Sequence, residues 1–488
     1  MKKRVVLFLA IIIFIFAGSC SAESTREIDF AENAPSGTPV SEQLYALASN
    51  SGEISVSDRT FESGILRMRQ KTYEFPNGDN CRYIRFETLS GAQTVRFTEQ
   101  YAGKSGTYRY YDPVNGNWVV MMLQGRLPRA TVYITIDGAD MVLCPPLAYR
   151  SVEDGTILAM AENDGCVTVE RKGGCFVFEY EIPLQDAIYA DMFRLTSPEQ
   201  LIDWQNEVMQ SIWKGYDLTH DNRFCMDGYY YVTPENYLPS GKDYYWRNPS
   251  AYISCKFITT GGSRAAEDLG ISMLDMLSQN INKAGYFDSL PVSLWLNKDY
   301  DIRGGFFDTR FNCDIFEAYL IAYQKFGIPE FLKYAVDFGG FFASHAENSH
   351  FSFVRYDFEG WLVEDYAHPE GNKPSHVSLN HQVREIILLY RLSEATNEKG
   401  WADLAFRLLE GIRFTADDWI REDSNLNYAH LPDGSYGLAD YPYLTYNDLY
   451  DLRRVLRAQT GKNDEYIQRL MDAKQLWMDK NGITGYKK

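Results

Sequence analysis

The feature that most constrains this chain is a change of hydrophobic period near residue 197. From about Gly52 to Pro183 apolar residues alternate with polar ones. Val132, Ile134 and Ile136 run into Asp137-Gly138, a turn pair. Val167 and Val169 lead to Lys172-Gly173-Gly174, after which Phe176, Phe178 and Tyr180 alternate again, the pattern of a β-hairpin. Several such strands predict an antiparallel, sandwich-like β-rich domain over residues 52–186. Beyond it the period is helical. Ser197-Pro198-Glu199-Gln200 offers an N-cap, a proline for the first turn and a glutamine to close a capping box, ahead of Leu201, Trp204, Val208 and Ile212. Further stripes follow at Leu269/Met273/Met276/Leu277, Ile315/Tyr319/Ala322/Phe326, Val383/Ile386/Ile387/Tyr390, Leu404/Leu408/Ile412, Leu449/Leu452/Leu456 and Tyr466/Leu470/Ala473/Trp477. Short loops between them imply antiparallel hairpins. Repeated over residues 187–488, such hairpins predict an (α/α) toroid, so the fold class is α+β multidomain. The rim of a toroid is concave, and loop residues line it.

Ahead of the β-rich region, Lys2, Lys3 and Arg4 precede an apolar run from Val5 to Ala17. It falls short of the roughly 20 residues a span requires and reads as an export signal over residues 1–20. Ala17-Gly18-Ser19-Cys20 resembles a bacterial lipobox. It implies cleavage before Cys20, lipid on that thiol, and a membrane lipoprotein facing outside or the periplasm; plain secretion is the alternative. Residues 21–51, rich in Ser, Glu, Ala and Pro, are expected to be a flexible tether.

The net charge of -18, with no basic stripe, argues against nucleic acid as a partner. An anionic substrate would need local Arg or Lys to overcome that field. The abundance of Tyr (35 residues) suits a core, but it also suits a cleft that stacks sugar rings. The cysteines after Cys20 form no CxxC pair and have no histidine at zinc spacing, so no metal or cofactor is expected. Cys166 and Cys175 flank a hairpin and are candidates for a disulfide. Association into a homodimer is compatible with the sequence.

Three loops of the helical half concentrate Tyr, Asp, Asn and Arg. They are Lys298–Gly305, Glu364–Asn380 and the stretch from Asn427-Tyr428 to Asp440–Leu449. Their residues resemble those of the C-terminal domain of the D-glucuronyl C5-epimerase family. Glu364-Asp365-Tyr366-Ala367 is similar to the family's E-E-Y-P. Pro374-Ser375-His376-Val377-Ser378-Leu379-Asn380 is similar to its P-S-S-x-V-L-N, and Asp440–Leu449 to its D-Y-H-T-T-H-I-N-Q-L. Asn427-Tyr428 fits the tyrosine of I-Y-D-L-R-H, but the Arg is absent, since Ala429-His430-Leu431 follows. The resemblance covers roughly residues 270 to 480. It implies an (α/α) barrel holding a hexuronic acid of a heparan-sulfate or heparosan-like polysaccharide. It further implies catalytic roles for Tyr366, Tyr428 and Tyr441 and substrate contacts from Asp365, Asn380 and Asn447.

The chemistry of such a reaction is consistent with these residue types. Epimerising a uronate at C5 removes a proton α to a carboxylate, with a base on one ring face and a donor on the other. A tyrosine serves either role if nearby cations lower its pKa from about 10. The carboxylate gathers charge and requires a cation, for which Arg303, Arg384 and His430 are candidates. His368 and His376 read as loop residues. Three other readings compete. A polysaccharide lyase makes the same abstraction and then expels the C4 substituent. A glycoside hydrolase would use two carboxylates such as Asp301 and Asp365. A surface glycan-binding lipoprotein would keep the loops without turnover.

Overall fold

The computed structural model describes residues 28–29, 38–152, 155–214, 222–248, 256–259 and 262–488. The export signal, Cys20 and Cys255 lie outside the described residues. Among the described residues, no helix is long and apolar enough to cross a membrane.

A 13-stranded antiparallel sheet forms the middle layer of the molecule. On one side lies a five-stranded sheet whose central strands, Gln93–Ala102 and Cys175–Leu184, pair in register from Cys175↔Ala102 to Leu184↔Gln93. Alternation decides which residues fill the space between the sheets. Phe97, Phe178, Tyr180 and Ile182 from the small sheet meet Met68, Ile84, Phe86 and Leu143 from the large one. The opposite face of the large sheet carries Tyr73, Cys81, Tyr83 and Phe193, which join a second core shared with the helices. Strand Ile188–Ser197 is therefore covered on both faces and is buried almost throughout.

Four sequence expectations change here. Ser41–Ser49 is a strand paired with Gly52–Ser63, so the segment up to residue 51 is not all tether. The β-rich region does not end at 186. Ile188–Ser197 lies between Ala139–Ser151 and Asn80–Thr88, and Asn222–Cys225, Gly228–Val232 and Tyr244–Arg247 extend the same sheet. Ser197 closes that strand instead of capping a helix; the helix starts at Glu207 and leaves Val208 exposed. Pairing on both sides already uses the strand's backbone groups, which overrides the capping signal. Cys166 and Cys175 are not joined to each other, because register sets them opposite Glu181 and Lys172.

The helical hairpins form as their caps dictate. Asp308 accepts from Phe311 N to start α-helix Thr309–Phe326, and Gly327 ends it in the left-handed conformation (φ 72°). Pro329 opens the returning helix Pro329–Asn348. Leu379–Thr396 ends at left-handed Asn397 before Lys399–Phe414, and Leu444–Thr460 ends at Gly461 before Glu465–Lys480, which Asp464 caps. Thr309–Phe326, Leu379–Thr396 and Leu444–Thr460 pack side by side as an inner row, with their partners outside. Leu379–Thr396, the middle one, is buried on nearly every side. Arg264–Ser278 joins this arc through Tyr319 Oη, which donates to Leu274 O, and it leans on the large sheet. Asp275 is the junction, accepting from Tyr45 Oη at 2.5 Å, Tyr73 Oη at 2.6 Å and Lys71 Nζ at 2.9 Å. The described helices thus make an arc that uses the sheet as its neighbour.

Candidate active site

The inner helices Thr309–Phe326, Leu379–Thr396 and Leu444–Thr460 begin at one rim, and short strand pairs stitch together the loops that precede them. Phe307–Asp308 pairs with Tyr366–Ala367, with Asp308 opposite Tyr366. Val377–Ser378 pairs with Asn427–His430, which pairs in turn with Tyr436–Ala439. These registers bring three distant loops into contact. The Tyr366 ring lies 5.5 Å from that of His376, His376 lies 5.7 Å from Tyr428, and Tyr428 meets Tyr441 edge to face at 5.6 Å. Exposure is graded along the series, 6% at Tyr366, 9% at Tyr428 and 48% at Tyr441. Trp295 stacks on His376 at 4.8 Å, and Tyr300 Oη bonds His376 Nδ1 at 3.0 Å.

Asp365 sits beneath the tyrosines with no exposed surface. It accepts from Ser378 N at 2.9 Å and Ser378 Oγ at 2.5 Å, with His376 Nε2 at 3.4 Å and His381 Nδ1 at 3.6 Å. A carboxylate so enclosed does not reach a sugar, so its expected substrate contact is corrected. Asn380 is equally buried; Arg310 bonds its carbonyl at 3.2 Å. Arg384 is also corrected. It lies on the inner helix among Asp314 at 2.7 Å, Glu317 and Asp451, and these acids occupy its charge. Arg303 stays on the surface, paired with Glu370 at 2.9 Å. The Asn447 side chain accepts from Lys487 N at 2.8 Å and serves the C-terminal tail. His430 packs against Phe351, Phe353 and Tyr436.

A cation that does lie near Tyr441 at the rim is Arg310, in the first turn of its helix, though it too is paired, with Asp448 at 2.7 and 3.3 Å and Asp314 at 3.5 Å. Neither Arg310 nor the cap Asp308 was singled out in the sequence, although Asp308-Thr309-Arg310 opens a legible helix. His381 and Trp295 were missed as well.

Burial governs the ionisation of the site. It pushes His376 down to about 3 and His381 well below the usual imidazole range, so both rings are neutral. It raises Asp308 to about 7, and raises Asp365, Tyr366 and Tyr428 well above their ordinary values. Tyr441 is raised less, with Arg310 opposing the effect of burial. The helix N-termini add partial positive charge at the same rim. Burial therefore holds the carboxyls and phenols of the series toward their neutral forms, and the expectation that cations lower a tyrosine here is corrected: at Tyr441, Arg310 offsets only part of the upward push. Elsewhere, Asp191, Cys225 and Asp227 cluster as metal ligands would, but Arg85 bonds both carboxylates at 2.8 to 2.9 Å and stands where a cation would.

No family model matches the chain, and no curated relative matches it. Among solved structures it is similar to a D-mannose isomerase (16% identity, 47% of this chain and 59% of that one, TM-score 0.37). It is similar also to the cellobiose 2-epimerase of Spirochaeta thermophila (15%, 48% and 59%, 0.37). A third is a family 76 glycoside hydrolase from a bovine Bacteroides thetaiotaomicron strain (12%, 82% and 75%, 0.37). The chain spans about three-fifths of the length of the first two. At these scores the likeness is partial, and the site rests on its own geometry.

Proposed function

We propose that the rim acts on uronic-acid residues of an anionic polysaccharide and epimerises glucuronate at C5. The observation that carries this reading is the ring series Tyr366–His376–Tyr428–Tyr441, drawn from two loops far apart in sequence, at the rim where Arg310 and the inner helix N-termini lie. The substrate carboxylate would lie toward Arg310 and the helix ends, which offset the charge of -18. A tyrosinate on one ring face, formed against the upward push of burial and least so at Tyr441 where Arg310 opposes it, takes the C5 proton, breaking C5–H, and the electron pair spreads into the carboxylate. A tyrosine on the other face returns a proton. No bound metal or cofactor is required for this exchange. Export and a lipid on Cys20 would place the protein where such polymers occur.

The hydrolase reading is disfavoured, because Asp301 is a surface residue paired with Lys373 while Asp365 is sealed in the interior. Elimination at the same site is the second reading, favoured by the neutral imidazoles next to the tyrosines. Incubation with glucuronate-containing polymers in deuterated water separates the two. Epimerisation places deuterium at C5 of saturated residues, whereas elimination yields an unsaturated uronate that absorbs in the ultraviolet.

A further inference from the structure

The arginines that lie nearest the candidate site are all answered by acids. Arg310 is paired with Asp448 and Asp314, Arg384 with Asp314 and Glu317, and Arg303 with Glu370. Uncancelled positive charge lies further along helix Leu444–Thr460. There Arg453, Arg454 and Arg457 line a hollow of about 300 Å³ together with Tyr450 and Asn463, and no carboxylate borders it. Among the described residues none of the three guanidiniums forms an ion pair. Asp451, the acid nearest in sequence, is taken by Lys487 and, at 4.0 Å, by Arg384.

Neutral groups fix one wall of the hollow. The Arg453 guanidinium lies 5.0 Å from the centre of the Tyr450 ring, and its Nη1 donates to Gln468 Oε1 at 3.0 Å. Arg454 and Arg457 are exposed and open to a ligand. A guanidinium presents a rigid fork of donors that matches a carboxylate or another oxyanion. A cation in the last turn also suits the partial negative charge of a helix C-terminus. That accounts for Arg457, but not for Arg453 and Arg454 gathered round the same hollow. The hollow is continuous with the rim. Asp448, Asp451, Arg454 and Arg457 recur every three residues and wind as a stripe down one helix. Asp448 holds Arg310 at the rim, and at 1.5 Å per residue Arg454 and Arg457 stand about 9 and about 14 Å further along the axis.

We propose that this hollow is a second anion-binding subsite, which takes carboxylate or sulfate groups of an anionic polysaccharide chain that continues from the rim. The choice of polymer rests on the functional reading above. A protein of net charge -18 repels a polyanion at long range, so a chain is held only where cations are concentrated and not cancelled. Paired Arg310 is a weak hold by itself, and the three open guanidiniums supply the rest.

The test measures the Kd of the full chain for a long glucuronate-containing polymer by titration calorimetry, without turnover. Arg454→Gln/Arg457→Gln should raise Kd by about tenfold or more, the scale of losing two charge-assisted contacts, and should flatten its dependence on salt. Arg454→Lys/Arg457→Lys keeps the charge and should keep most of the affinity. Lys333→Gln/Lys399→Gln removes the same charge from exposed positions on other helices and should leave Kd near the parent value. Melting curves check that each variant is folded. Equal weakening by the two glutamine pairs, or no weakening by either, overturns the subsite. Sodium sulfate and sodium chloride of matched ionic strength should weaken polymer binding alike. A stronger effect of sulfate that vanishes in Arg454→Gln/Arg457→Gln would make a free oxyanion the occupant and overturn the glycan. A parent that binds the polymer through these arginines but exchanges no C5 proton overturns the functional reading and leaves the subsite standing.

Discussion

Asp308 and Tyr366 are register partners in a two-residue antiparallel ladder, so the cap of one inner helix and the loop before the next share one position on the rim. The pairing explains how polar loops far apart in sequence build one site. Asp308 also accepts from Phe311 N at 2.8 Å, which ties the ladder to the first turn of its helix.

Tyr428→Phe and Tyr441→Phe each remove only a hydroxyl from rings that keep their packing. Each should lower C5 exchange by about 10²- to 10⁴-fold, the range for loss of a general acid or base, with little change in thermal stability. Exchange rates and melting curves measured on the same preparations check this. Unchanged exchange in both variants would remove these tyrosines from the chemistry.

Arg310 and Arg384 are both well-buried arginines of the inner row, and only Arg310 lies at the rim. Arg310→Gln should raise KM for an anionic polymer by about tenfold or more, the effect of losing a charge-assisted contact. Both variants should lower stability, Arg310→Gln because Asp448 loses its partner and Arg384→Gln because Asp314 and Glu317 each lose one of two arginines, but Arg384→Gln should leave KM near the parent value. Steady-state kinetics beside denaturant titrations would expose a reversed pattern.

Asp275 holds Lys71, Tyr45 and Tyr73 where the sheet meets the helices. Asp275→Asn leaves the Lys71 ammonium buried without its counter-charge. It should destabilise the fold by about 3 kcal/mol or more, as breaking a buried pair does. A urea titration reads this, and a change well under that size would mean water reaches the junction.

Glu385, on the middle inner helix, is fully buried, and burial raises its pKa from 4.5 to about 8. The folded protein therefore binds a proton that the unfolded chain releases above about 4.5. The associated stability is complete below that pH and falls as pH rises to about 8. Asp308, raised to about 7, acts in the same direction. The stability of Glu385→Gln should depend less steeply on pH over that window, by about 1.4 kcal/mol per pH unit at most. Unfolding free energies at several pH values check the slope, and parallel lines for parent and variant would contradict it.

The hairpin helices are legible in the sequence because their stop signals, Gly327, Asn397 and Gly461, act locally. The three loops are legible because a run such as Glu364-Asp365-Tyr366 has no apolar period to hide in. Burial is what sequence pattern does not carry. Helix Leu379–Thr396 has a polar side that looks solvated, yet it is the middle of the inner row. Arg384 and Glu385 are therefore interior, and a charge read as a substrate contact turns out to be internally paired. Asp365 is hidden for the same reason, since the strand pairs of the rim close over it. The capping signal at Ser197 failed because strand Ile188–Ser197 has neighbours on both sides, a long-range fact that no local window contains.

The most direct measurement is deuterium incorporation at C5 when the protein acts on glucuronate-containing polysaccharide in deuterated water, run beside Tyr441→Phe. Deuterium should appear at C5 of saturated residues with the parent, with no ultraviolet-absorbing product, and incorporation should fall by orders of magnitude in the variant. Absence of C5 deuterium with the parent, or equal incorporation by Tyr441→Phe, would contradict epimerisation through Tyr441.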